Sequence, residues 1–207
     1  MGASAVTVAS EMRYRDAATA AALAALFGAV ALAVEMGTTR RVDRALRRAH
    51  PHPRAGAPRI VARGVRIGGE PAAMGVASIG VAALLGIARV PGARAVIIAS
   101  WGAFAVDRLA KHSLPRHRPP GYRHVRQREM SFPSGHTASA AALFLTTAML
   151  LQRANPMQAP YTMWAALGGT LIVGDTRLLL DEHWPSDVLA GGLLGGAVAM
   201  VALAVVD

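Results

Sequence analysis

The chain contains no cysteine. That excludes disulfides and thiolate metal sites, and it leaves the redox state of the compartment unmarked. Aromatic residues supply only 5% of the 207 positions, although 53% are hydrophobic. The apolar content therefore rests on alanine, leucine and valine, with glycine beside them. Lysine is almost missing: Lys111 stands alone among 22 cations, and every other one is arginine. Acidic residues number 12, which leaves a formal net charge of +10. A cationic surplus of this kind fits nucleic acid, an anionic membrane surface or an anionic substrate. The long apolar segments also lack a polar stripe, as in "GVASIGVAALLGIA" and "VLAGGLLGGAVAMVALAVV". Helices of a soluble bundle carry such a stripe. The membrane reading is therefore preferred, and no nucleic-acid partner is expected.

Six segments have close to the roughly 20 residues that a bilayer core demands. They run from Asp16 to Met36, Pro71 to Ala88, Pro91 to Ala110, Ser134 to Leu151, Ala159 to Leu179 and Pro185 to Val206. The first is too long for the apolar core of a secretory signal, and Glu35-Met36-Gly37 is a poor cleavage site, so it reads as a retained helix. The expected fold is all-α: one membrane-embedded domain over residues 1–207, a six-transmembrane-helix bundle with its active site at one membrane face. "GGLLGG" at 191–196 reads as a close helix contact rather than a ligand loop. There is no internal repeat. Six crossings put the connections 37–70, 111–133 and 180–184 on one side.

Three polar clusters lie in or beside the last two connections. "KHSLPRHRPP" closes the third segment with Lys111 and Arg118, and its prolines stop the helix. These cations read either as anion ligands or as snorkelling anchors. "SFPSGHTASA" opens the fourth segment: Ser134 suits a cap, Gly135 lets an anion approach the backbone, and the helix N-terminus favours phosphate. His136 stands in the first turn. A plain cap with an incidental histidine is the alternative. "TRLLLDEHWPSDVLAG" places His183 and Asp187 four apart, within one helical turn. A carboxylate there can hold one imidazole nitrogen and leave the other as nucleophile. The alternative is an interfacial His–Asp pair without chemistry. Arg177 ends the fifth segment and needs a partner.

Together the clusters supply three cations, one helix N-terminus and two histidines, one paired with an acid. That set meets the needs of metal-free phosphoryl transfer, in which positioning and neutralisation of phosphate oxygens dominate. The same residues resemble the type 2 phosphatidate phosphatases, whose site is shared with the vanadium haloperoxidases. Lys111, six residues, then Arg118-Pro119 fit that family's first motif, and Pro133-Ser134-Gly135-His136 fit the second. Arg177, His183 and Asp187 fit the third, with Thr176 where the family has serine. The resemblance implies that His183 attacks phosphorus, Asp187 orients it and His136 protonates the leaving oxygen. It also implies that Lys111, Arg118, Ser134, Gly135 and Arg177 hold the phosphate. It calls for no metal and no cofactor.

Other polar residues read more blandly. His50, His52, His112, His117 and His124 have irregular spacing that does not suit zinc. Asp181 and Glu182 are expected at the solvated rim, and Asp175 is a candidate to steady Arg177. Residues 38–50 put Val42, Ala45 and Leu46 at helical spacing among arginines. They read as a basic helix lying on the membrane or as a solvated loop. The motif side carries nine arginines between Arg40 and Arg66, seven cations from Arg108 to Arg128, and Arg177. The other side has Arg13, Arg15, Arg89, Arg94 and Arg153. The positive-inside rule then puts the site in the cytoplasm. Alanine and arginine richness points to a GC-rich bacterium, hence to a bacterial inner membrane.

The expected activity is that of a lipid phosphatase acting on a phosphomonoester or diphosphate lipid. Candidate substrates are a polyprenyl-linked phosphate such as decaprenyl-phosphoryl ribose phosphate, phosphatidate and phosphatidylglycerol phosphate. A haloperoxidase, a phosphotransferase and a non-catalytic lipid-binding protein are the competing readings. The sequence leaves oligomeric state open.

Overall fold

The structure, a computed structural model, describes residues 3–53, 55–120 and 130–206. His124, the arginines at 54, 123, 126 and 128, and the stretch 121–129 lie outside the described residues.

Eight α-helices account for the described chain, with no strand among the described residues. They are α1 (Ala3–Glu35), α2 (Arg40–Ala49), α3 (Ala57–Gly68), α4 (Pro71–Ile87), α5 (Arg94–Ser113), α6 (Gly135–Ala154), α7 (Ala159–Leu179) and α8 (Pro185–Val206). The six long apolar segments are all helical, and the last two match their expected bounds. Helix α1 starts well before Asp16 because nothing in 3–15 breaks a helix. Helix α5 starts at Arg94 rather than Pro91, since Gly92 turns the chain at φ 76°. Residues 40–49 are helical, which sets aside the loop reading of that stretch. Helix α3 falls within the basic connection 37–70, which reads from the sequence as an interfacial loop or helix without a separate element at these residues.

Among the described residues, two helical stretches are long and apolar enough to cross a membrane by length and composition, Ser10–Glu35 and Pro185–Val206. Helices α3 and α4 form a third candidate if taken together, bent by 65° at their junction. The bundle packs around α6 and α8. Helix α8 lies against α1, α5 and α6, while α6 also meets α4, α5 and α7, and α3 rests on α7. Small residues bring α6 and α8 together: Ala138, Ala141, Gly191 and Gly195 share that contact. A Cβ on Gly191 would sit 2.5 Å from the Ser134 carbonyl oxygen. The outward faces carry Leu26, Ile79, Leu84, Leu171, Ile172 and Val205, all exposed.

One end of the bundle gathers the polar residues. There the C-termini of α5 and α7 meet the N-termini of α6 and α8, and α2 and α3 lie beside them. At the opposite end Arg153 of α6 pairs with the buried Asp16 of α1.

Candidate active site

The third cluster is built by the turn between α7 and α8. Pro185 takes the first-turn position of α8, where its missing N–H costs nothing. His183 precedes it and is buried. Its Nδ1 lies 2.8 Å from the Ser131 carbonyl oxygen, which accepts the Nδ1–H. Asp187 Oδ2 is 3.6 Å from the same nitrogen, beyond hydrogen-bond distance, and pairs with the ring as an ion only once the ring is protonated. That tautomer leaves Nε2 with its lone pair, and Arg118 Nη1 lies 3.4 Å from it. Arg118 also donates to the Glu182 carbonyl at 2.8 Å, which fixes the guanidinium beside the ring. Burial pushes the imidazole below histidine's ordinary value. Asp187 pulls it up, while Arg118 and Lys111 push it down.

Asp187 is fully buried. Its Oδ2 accepts from the Trp184 backbone N–H at 2.8 Å and its Oδ1 from Arg116 at 2.5 Å. Its carbonyl accepts from the Ser134 N–H at 3.0 Å, tying the second cluster to the third. Helix α6 then begins at Gly135. The Ser134 hydroxyl pairs with the Thr137 hydroxyl at 3.0 Å and makes no capping bond, contrary to expectation. The first-turn N–H groups of α6 are thus left without a side-chain acceptor from their cap.

Gly135 touches the first cluster. A Cβ there would stand 2.6 Å from Asp107 Oδ2 and 3.0 Å from Lys111 Nζ, so a side chain would displace that pair. The pair itself is an i,i+4 salt bridge of 2.8 Å on α5. His136 follows on α6. Its Nε2 is shielded from solvent and meets no hydrogen-bond partner among the described residues. Arg177, His183 and Lys111 all lie within Coulomb reach of it. Arg177 is fully buried, donates twice to the Thr176 hydroxyl and pairs with Glu182 at 3.2 Å. Thr176 thus supplies the hydroxyl that orients the guanidinium.

Lys111, Arg118, Ser134, Gly135, His136, Arg177, His183 and Asp187 are therefore brought to one end of the bundle. His183 also lines a cavity of about 320 Å³ whose other wall is α2 and the chain after it, from Leu46 to His52. Two expectations are corrected there. Asp181 and Glu182 are not at a solvated rim: Glu182 is buried between Arg177 and Arg66, and Asp181 makes a two-pronged bond to Arg47 at 2.6 and 2.7 Å. Asp175 does not steady Arg177 but pairs with His50 at 2.7 Å, since it points toward α2. Sequence reasoning missed Asp43, Arg66 and Arg116. Only Arg116 carried a signal, its place two residues before Arg118.

With these positions in hand, the chain can be set beside known proteins. The model of the PAP2 superfamily matches residues 92–207, over half of the sequence and all three clusters. The chain belongs to the PAP2 superfamily. It is 30% identical over 127 residues to the decaprenylphosphoryl-5-phosphoribose phosphatase of Mycobacterium tuberculosis, covering 58% of this chain and 66% of that protein. It is 33% identical over 99 residues to phosphatidylglycerophosphatase B of Bacillus subtilis, covering 44% and 49%. It is 36% identical over 66 residues to lipid A 1-phosphatase of Rhizobium etli, covering 32% and 25%. The matched stretches thus fall short of two thirds of these relatives' lengths. The fold is similar to the crystal structure of a transmembrane PAP2 type phosphatidylglycerolphosphate phosphatase from Bacillus subtilis. The TM-score is 0.76 at 22% identity, covering 89% of this chain and 94% of that one.

Proposed function

We propose that this PAP2 protein is an integral-membrane lipid phosphate phosphatase that works through a phosphohistidine on His183, without a metal. The observation that carries the reading is the state of His183. One ring nitrogen is committed to Ser131, and the other abuts a fixed guanidinium. A phosphate drawn to Arg118 meets the free Nε2 first. Nε2 attacks phosphorus, the bond from phosphorus to the lipid oxygen breaks, and His136 gives that oxygen a proton. A water then attacks the phosphohistidine, passing its proton to His136, and inorganic phosphate leaves. Lys111, Arg118 and Arg177 neutralise the phosphate oxygens, and the α6 N-terminus at Ser134 and Gly135 adds backbone donors. Asp187 holds the charge that develops on His183.

The six long helices are proposed to cross the membrane, with the site at the cytoplasmic face of a bacterial inner membrane. The charge asymmetry supports that orientation. Val42 and Leu46 of α2 are exposed beside its arginines, which supports a helix resting on the bilayer surface. The matched relatives act on lipid phosphates by their names, which supports a substrate of that class. The relative matched over 127 residues supports a polyprenyl-linked sugar phosphate as one such substrate.

Purified protein in detergent, offered lipid phosphates with and without EDTA, tests the activity. Phosphate release that persists in EDTA and stops with vanadate is expected. Release from no lipid phosphate at all defeats the reading, and bromide oxidation with vanadate and peroxide would put a haloperoxidase in its place. Orientation is read separately, because the chain has no native cysteine. Ser113→Cys should resist an impermeant thiol reagent in whole cells, whereas Met157→Cys at the other end should be labelled.

A further inference from the structure

Asp43 lies on α2, outside every motif, yet it is nearly fully buried. A buried carboxylate on an otherwise exposed, arginine-rich helix is costly unless it is fully bonded. It is. Its Oδ1 accepts from the Ser186 backbone N–H at 3.0 Å. Its Oδ2 accepts from the Ser186 hydroxyl at 2.8 Å and from Arg116 Nη2 at 2.6 Å. Asp43 therefore caps the first turn of α8 from a distant part of the chain. Arg116 uses its other arm on Asp187 Oδ1 at 2.5 Å and Ser186 Oγ at 2.7 Å. Its guanidinium lies over the Trp184 ring, 5.6 Å from the centroid.

The planar fork of an arginine can hold two carboxylates at a fixed separation, which a lysine cannot do. Here the two carboxylates are Asp43 and Asp187, and Asp187 faces His183 Nδ1. With Arg116 on one oxygen and the Trp184 N–H on the other, the Asp187 carboxylate has no freedom to turn. When Nε2 bonds to phosphorus, positive charge spreads over the ring, and Nδ1 must then find Asp187 where it stands. The Arg116 charge also tempers Asp187, so that the acid supports that charge without drawing a proton onto the resting imidazole.

We propose that Asp43 and Arg116 are positioning residues of the phosphoryl-transfer step: a strut from α2 through Arg116 that sets Asp187, and through it His183. This inference rests on the phosphatase reading above. The strut acts on the nucleophile and not on the phosphate ligands, so its loss slows formation of the phosphoenzyme while substrate binding is kept.

Asp43→Asn keeps an acceptor for the Ser186 N–H but opposes Arg116 with an amide, and Arg116→Lys keeps the charge but loses the fork. Each variant is made in the full chain and compared with wild type in steady-state turnover and in acid-quenched phosphoenzyme formation with radiolabelled lipid phosphate. The expected result is a loss of about 10- to 100-fold in kcat, as misplacement of a reacting group produces. KM should stay within about twofold, and phosphoenzyme formation should slow in step with kcat. The double variant should be no worse than the poorer single one, because both cut the same strut. Wild-type kcat in both single variants, a loss confined to KM, or additive losses in the double variant overturns the proposal. If Asp43→Asn does not fold, Arg116→Lys alone decides on the same criteria. A wild type that releases no phosphate refutes the phosphatase reading itself; an active wild type with unaffected variants refutes only the strut.

Discussion

The two histidines of the site stand in opposite states. His183 has one ring nitrogen on a backbone carbonyl and the other beside a guanidinium, with Asp187, Arg116 and Asp43 stacked behind it. His136 has a shielded Nε2 and no hydrogen-bond partner for it among the described residues. An unsatisfied buried nitrogen costs about 1–3 kcal/mol, and such a group calls for an explanation. The bonded wall is finished before anything binds. On the proposed mechanism, the His136 nitrogen would meet the departing alkoxide or the incoming water. In the proposed reaction, the bonded side would be preorganised for attack and the other would handle the proton.

The largest effect should follow from breaking the bonded wall. His183→Ala removes the proposed nucleophile, and turnover should fall about 10⁴-fold or more, in the range seen when a covalent catalyst is lost. Phosphate release by purified protein measures it, and no labelled phosphoenzyme should form. Turnover within tenfold of wild type would mean that another group attacks phosphorus. His136→Ala strikes the open wall and should cost less, about 10²–10⁴-fold, the span of general acid–base catalysis. A substrate with a good leaving group, such as an aryl phosphate, needs little proton donation and should recover part of that loss. No difference between lipid and aryl substrates would dissolve the contrast between the walls.

A smaller effect concerns pH. The proposed attack by His183 requires a neutral ring, and burial holds its pKa below the ordinary value. As pH falls, it therefore stays neutral longer than an exposed histidine, and activity is lost only on passing below its depressed pKa. The acid limb of kcat/KM should lie below about 6.5, the ordinary histidine value. An acid limb above that value would mean that Asp187 outweighs burial and that the resting ring is charged.

Much of this site was legible because its parts are local. Pro-Ser-Gly-His sits at one helix start, His183 and Asp187 share one turn, and Lys111 and Arg118 flank a proline stop. The long helices were legible from apolar runs bounded by Pro71, Pro185 and the polar connections. The strut was not, because Asp43 is separated from Ser186 by most of the chain and looks like one more charge in a basic helix. Arg66 and Glu182 escaped for the same reason: their pairing is tertiary. Hydropathy also hides how deeply a helix is buried. The apolar stretches of α1 and α8 are nearly equal in mean hydropathy, yet 6% of one and 56% of the other are buried inside the protein. The small residues of α8 make that difference, since they let α6 approach.

That approach gives the mildest test of the bonded wall, which hangs on α8. Gly191 and Gly192 are neighbours on that helix with opposite surroundings. A Cβ on Gly191 would meet the Ser134 carbonyl at 2.5 Å and Thr137 Cβ at 3.1 Å, whereas one on Gly192 would find nothing within 4 Å. Backbone cannot move aside as a flexible side chain can. Gly191→Ala should therefore push α8 from α6 and cost about 1–3 kcal/mol, the usual penalty of overpacking. The Ser134 N–H bond to the Asp187 carbonyl spans the same contact, so activity should fall along with stability. Gly192→Ala should leave both close to wild type. Thermal unfolding in detergent, with phosphate release measured on the same samples, compares them. Equal behaviour of the two variants would show that the α6–α8 contact has slack, and that His183 keeps its place without it.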